Sequence, residues 1–230
     1  MDLGLFIASS GMVAEQARQD QLSNDLANAS TPGFKPDESP KHSFKQVLLA
    51  TSSGEAAAGS LESGVGLEGT YTDMAPGAIR QTGQPLDFAI AGEGFFAVQT
   101  AGGTRYTRDG QFTTSAQGVL TDANGDPVLD QSGAQVKVGS GGSVGASALG
   151  VFALSGAHKQ GESLYAGSAT GKASGTVQQG ALEQSGVDST QTMVDMISSL
   201  RTYQSGQQAI QTIGQTLQQA ATQVGSIVPG

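Results

Sequence analysis

The chain has 230 residues, 34 glycines, 5% aromatic residues, no cysteine and a formal net charge of −9. Its 11 Lys and Arg residues are scattered, which disfavours nucleic acid and anionic membrane surfaces, because phosphate recognition needs clustered cations. The lack of cysteine excludes a disulfide framework, a thiolate nucleophile and cysteine-held metal, and so much glycine with so few aromatics argues against a single massive core.

The first element is a helix. Residues 2 to 29 contain no proline, and apolar residues fall at Leu3, Phe6, Ile7, Val13, Ala14, Ala17, Leu22, Leu26 and Ala29, an imperfect stripe at helical spacing. The start "MDLGLFIASSGMVAEQ" has no basic region and only a short apolar run. It reads as neither a secretory signal nor a membrane span, so export would need another route. Thr31-Pro32-Gly33 then ends the helix, and Phe34, Lys35 and a second proline follow. Local chemistry alone makes "TPGF" a helix C-cap with a hydrophobic contact. From 36 to 69 the expectation is a linker region, with a mobile Ser/Gly/Ala tract from Thr51 to Gly66.

Residues 70–184 hold 21 of the 34 glycines and are of a different kind. Short β-type runs such as "DFAIAGEGFFAVQT", "TRYTRDGQFTTS" and "AQVKV" alternate with turn signals, among them Asp109-Gly110 and Asn124-Gly125. The pattern predicts a central antiparallel all-β domain. Its chemical motifs are weak. "GSATGKAS" lacks the spacing and the Ser/Thr of a phosphate-binding loop and is expected to be a flexible loop. "DANGDPVLD" lacks the glycine and glutamate positions of a calcium loop and fits a β-turn. His42 and His158 have no evident partners for a triad or zinc site, and Glu93 with Asp109 is an ordinary occurrence of two carboxylates. No catalytic, cofactor-binding or metal-binding residue is expected.

The last element, 185–230, predicts a second and longer helix. A 3-4 spacing runs through Met193, Met196, Leu200, Tyr203, Ile210, Leu217 and Val224, with Gln207, Gly214 and Ala221 between them, giving a heptad seam. Such a helix would run about 60 Å, longer than the β-domain needs for its own core, so a partner must cover it. Asp195 and Arg201 are its only charges between Ser189 and Val228, and nine glutamines take the polar positions. Uncharged amides fit a helix enclosed by neighbours or facing a channel; a solvated helix drifting toward Gln and Ala is the plainer reading. Gly206 and Gly214 each cost about 1 kcal/mol against alanine in a helix, for which a close helix approach would compensate.

"SNDLANASTPGFK" closely resembles the N-terminal signature of bacterial flagellar rod and hook axial proteins. Leu26, Ala27, Asn28, Thr31, Gly33, Phe34 and Lys35 match, whereas Asp25 stands where a second Asn is usual. Gly92 to Leu129 resembles the family's central motif, and Ser185 to Ile210 its C-terminal one, with Gly186 and Gly206 at positions where Asn is frequent. The resemblance implies an α+β fold in which the N-terminal helix (1–35) and C-terminal helix (185–230) pair as a coiled coil lining a tubular polymer. It implies a non-enzymatic rod subunit, exported by the flagellar type III apparatus without a cleaved signal peptide and assembled in the periplasm. Its partners would be copies of itself, other rod and hook proteins, the export apparatus and bushing rings, with neither nucleic acid nor membrane insertion. Phe34 would act as an anchor where the chain leaves the inner helix. Phe44 with "QVLLA", and the "GEGFFAVQ" and "YTRDGQF" stretches, resemble the distal-rod type; the "MD" start and short length resemble the proximal type. Readings of another class are a secreted β-domain binding module with a helical stalk and an acidic cell-wall hydrolase.

Overall fold

The computed structural model describes residues 2–38, 41–43, 46–50, 57–62, 65–67, 70–139, 141–161 and 163–225. Helix α1 (Asp2–Ala27) is followed by the short strands β1 (Asp37–Glu38), β2 (Lys41–Ser43), β3 (Gln46–Ala50), β4 (Ala57–Glu62) and β5 (Val65–Leu67). Next come β6 (Tyr71–Thr72), β7 (Ile79–Gln81), β8 (Phe88–Ala91), β9 (Phe95–Thr100), β10 (Gly103–Thr107), β11 (Thr113–Thr114), β12 (Leu120–Thr121) and β13 (Val128–Leu129). A long hairpin, β14 (Val151–Lys159) and β15 (Leu164–Lys172), leads to β16 (Thr176–Gln179), β17 (Ala181–Glu183) and the terminal helix α2 (Ser189–Gly225). Two compact units result: Met1–Asn24, Glu38–Tyr71 and Thr190–Gly230 form one, and Asp25–Asp37 with Thr72–Ser189 form the other.

The second unit is the β-domain. Strand β9 pairs antiparallel with β10 and β14, and β15 pairs antiparallel with both β10 and β14, so these four strands close into a small barrel. Rings from opposite strands meet inside it: Phe95 lies 5.4 Å from Tyr165 and Tyr106 lies 5.9 Å from Phe152, centroid to centroid. The other face of β9 carries Phe96 and Val98 into a larger core with Phe88, Ile90, Phe112 and Leu120. Both faces of "FFAV" are therefore buried, which is why this strand is continuously apolar rather than alternating.

One turn reading holds and one changes. Asn124-Gly125 does form a tight turn, in which Asp122 Oδ1 accepts the amides of Asn124 and Asp126. Asp109-Gly110 closes no hairpin, since β10 and β11 pair with other strands; its turn packs against Phe88 so closely that a Cβ on Gly110 would lie 1.6 Å from the Phe88 carbonyl oxygen. "GSATGKAS" is not a loop either. Most of it is strand β15, registered against β14 with Leu154 opposite Ala169 and Ala153 opposite Gly171; strand pairing decides its conformation despite the glycines.

In the first unit α1 and α2 pack antiparallel. Gly4 lies opposite Ile213, Met12 opposite Gly206, and Glu15 opposite Ser199. In the stretch read as a linker, β2 pairs with β5 and β3 with β4; Phe44 and residues 51–56 lie outside the described residues. Among the described residues no helix is long and apolar enough to cross a membrane.

Candidate functional site

Every residue of the N-terminal signature lies where α1 ends and the chain joins the β-domain. Asn28 is buried and its Oδ1 accepts the Thr31 hydroxyl at 3.0 Å, closing the turn that follows the helix. Leu26 is half-buried and Ala27 exposed. Gly33 has φ of +65°, and a Cβ there would lie 2.4 Å from the Arg108 carbonyl carbon and oxygen; both the backbone conformation and the space require glycine. Its amide donates to the Glu183 carbonyl, while the Phe34 carbonyl accepts from the Gly186 amide. The turn is thus stitched to the strand that precedes α2.

Phe34 is fully buried, with Lys159 Nζ 4.0 Å above its ring centroid. Lys35 is also buried, an unusual place for a lysine, and its ammonium explains why. Its Nζ lies 2.5 Å from Glu183 Oε1 and donates to the Ala75 carbonyl at 2.6 Å. Glu183 Oε1 also accepts the Gly77 amide, and Oε2 accepts Arg108 Nη1 at 3.0 Å. Glu183 therefore binds three chain segments together. Lys159 Nζ closes the arrangement by donating to the Lys35 carbonyl at 2.9 Å and to Asp37 Oδ2 at 3.1 Å. Sequence reasoning singled out Lys35 and missed Glu183, Arg108 and Lys159. Periodicity carries no signal for a pair 148 residues apart.

The second candidate surface is α2. Thr192 and Ser199 are its buried positions, and Met196, Tyr203, Gly206, Ile210, Ile213 and Leu217 are half-buried. These positions form a heptad series covered by α1. Ser199 donates to Glu15 Oε2 at 2.7 Å within the pair. Met193 and Leu200, expected in the seam, lie one residue beyond Thr192 and Ser199 and are 50% and 45% exposed; small polar side chains permit the closer approach that the larger ones would block. Val224 has no described side chain. Gly206 faces Met12, whose Cγ would be 2.9 Å from an added Cβ, whereas Gly214 has nothing within 4 Å. The α1 stripe is shifted as well: Ala14 and Leu22 are buried, but Phe6 and Val13 are 57% and 65% exposed.

A second apolar stripe on α2, Met193, Val194, Ile197 and Leu200, is thus open in the single chain. No group of three or more His, Asp or Glu residues among the described residues is placed to hold a metal, Glu93 is exposed, and the His158 ring meets the Gly156 carbonyl. Asp109 is pushed up to about 6, chiefly by burial and also by the Asp122 and Asp87 charges; its Oδ1 accepts the Gln111 amide in a turn.

One unit is thus a pair of long antiparallel helices with an uncovered apolar stripe, and the other is a β-domain onto which a buried ionic cluster fixes the segment that follows α1. Three family models match the same chain: "Flagella basal body rod protein" over residues 5–35, "Flagellar hook protein FlgE/F/G D1 domain" over 89–149 and "Flagellar basal body rod FlgEFG protein C-terminal" over 178–223. The chain is 30% identical to a flagellar basal-body rod protein FlgF of Caulobacter vibrioides, over 99% of its length and 100% of the relative's. It is 33% identical to a flagellar basal-body rod protein FlgG of Bacillus subtilis, over 94% and 96%, and 27% identical to the flagellar hook-basal body complex protein FlhO of the same organism, over 97% and 99%. The chain belongs to the flagellar basal-body rod protein family and is a FlgG/FlgF-like, non-enzymatic structural subunit.

Proposed function

We propose that this protein is a distal-type rod subunit that polymerises through its terminal helices into a hollow shaft, transmitting torque and enclosing the export channel. The observation that carries the polymer is the second stripe on α2. Four apolar side chains at positions 193, 194, 197 and 200 are about half exposed, at a spacing that places them along one helix face. Leaving them in water forgoes about 25 cal/mol for each Å² of apolar area that a neighbour could cover. Rigid repeated contacts of this kind carry load without a catalytic group, and beyond Arg201 the glutamine-rich part of α2 offers a passing chain no charge to bind. Copies of the chain, other rod and hook proteins, the export apparatus and surrounding bushing rings are its partners in the periplasmic part of the basal body.

Because relatives called FlgF and FlgG both align along nearly the whole chain, a proximal rod subunit is the second reading. Deleting the gene and imaging isolated basal bodies separates the readings. Distal function gives a rod truncated far from its base, proximal function gives one that stops near its base, and intact rods with full motility would contradict both.

A further inference from the structure

The buried junction contains one acidic group that its surroundings do not neutralise. Asp25 sits in the last turn of α1, where the partial negative charge of the helix C-terminus disfavours a carboxylate. Its side chain is buried, and Oδ1 has no hydrogen-bond partner among the described residues. The Asp37 backbone amide gives it one hydrogen bond. Two charged groups face it. Lys159 on β14 attracts the carboxylate and Asp37 on β1 repels it, but Lys159 is already held by Asp37, the Lys35 carbonyl and the Phe34 ring.

We infer that Asp25 is a protonation-dependent latch: as a neutral carboxyl it lets segment 28–37 seat fully on the β-domain, and as a carboxylate it loosens that seating. The neutral acid carries a donor that the anion lacks, adds no negative charge beside Asp37 and leaves Lys159 undivided. Burial, the first cause, pushes this group up to about 6, so the latch changes state just below neutral pH. A group held above its ordinary value in the closed junction binds its proton more tightly there than in the open one. Closure is therefore favoured at low pH and lost as pH rises toward and through 6. This inference goes beyond the rod function and holds whether or not the chain polymerises.

The test is hydrogen exchange on the full-length chain, read at the Gly33 and Gly186 amides and corrected for the intrinsic pH dependence of exchange. Protection of both amides should fall about tenfold between pH 5 and 7.5 as the junction opens, while Asp25→Asn should hold protection constant across that range. Asp37→Asn keeps Asp25 and removes its repelling neighbour, so it should move the midpoint to lower pH; this variant keeps the test decisive if Asp25→Asn fails to fold. PH-independent protection in the unsubstituted chain would overturn the latch, and so would an unchanged pH dependence in Asp25→Asn or an unmoved midpoint in Asp37→Asn.

Discussion

Glu183 holds more of the junction than any other side chain, since it neutralises two buried cations and accepts a backbone amide. Glu183→Ala leaves Lys35 and Arg108 buried without a counter-charge, a change that costs about 3–5 kcal/mol; urea unfolding of the β-domain should show a midpoint lowered accordingly. Asp109 makes the opposite case. With its carboxyl held at about 6 in the folded chain, against 3.8 for the free group, its contribution to stability is fully present below pH 3.8 and lost as pH rises through 6. Asp109→Asn keeps an oxygen for the Gln111 amide and removes the buried charge. It should therefore raise stability at pH 7.5 by about 3 kcal/mol and flatten the thermal midpoint between pH 4 and 7, as calorimetry at several pH values would show. At this scale the sequence exposed Gly33, Phe34 and Lys35, because a lone aromatic and a lysine beside a helix breaker demand explanation. It hid their partners Glu183 and Arg108, which look like ordinary surface charges until the chain folds back on itself.

Among the elements, the two helices were legible in length and type but not in phase. Helix α2 has apolar residues on two faces, and a search for the most hydrophobic 3-4 series follows Met193 and Leu200, whereas α1 packs on the neighbouring series through Thr192 and Ser199. Close packing of the backbones and the Ser199–Glu15 hydrogen bond outweigh side-chain size there. The two series share Met196, Tyr203, Ile210 and Leu217, which are half-buried, and part again at Gln207 and Gly214, which are exposed beside half-buried Gly206 and Ile213. Ile210 is half-buried in this stretch, so Ile210→Asp puts a carboxylate into the helix pair, a burial that costs several kcal/mol unless the group is protonated or the pair opens. The expected outcome is loss of helical circular dichroism with the β-sheet signal retained, since the unit formed by Asp25–Asp37 and Thr72–Ser189 keeps its own core. Loss of both signals together would mean that the helices and β-domain fold as one.

For the molecule as a whole, composition separated helical ends from a glycine-rich centre, because helical and strand periodicities differ along the chain. Barrel closure was not legible. It depends on β9 pairing with both β10 and β14 while β15 pairs with the same two strands, and no local pattern encodes which strand lies on the far side. The central claim is that the exposed α2 stripe is an assembly surface, and negative-stain electron microscopy of the concentrated full-length chain beside its Ile197→Asp/Leu200→Asp variant tests it most directly. Both residues are about half exposed in the single chain, so the variant should keep the fold and circular dichroism of the unsubstituted protein. The expected result is tubes from the unsubstituted chain and none from the variant; tubes of the same kind from both would contradict the claim.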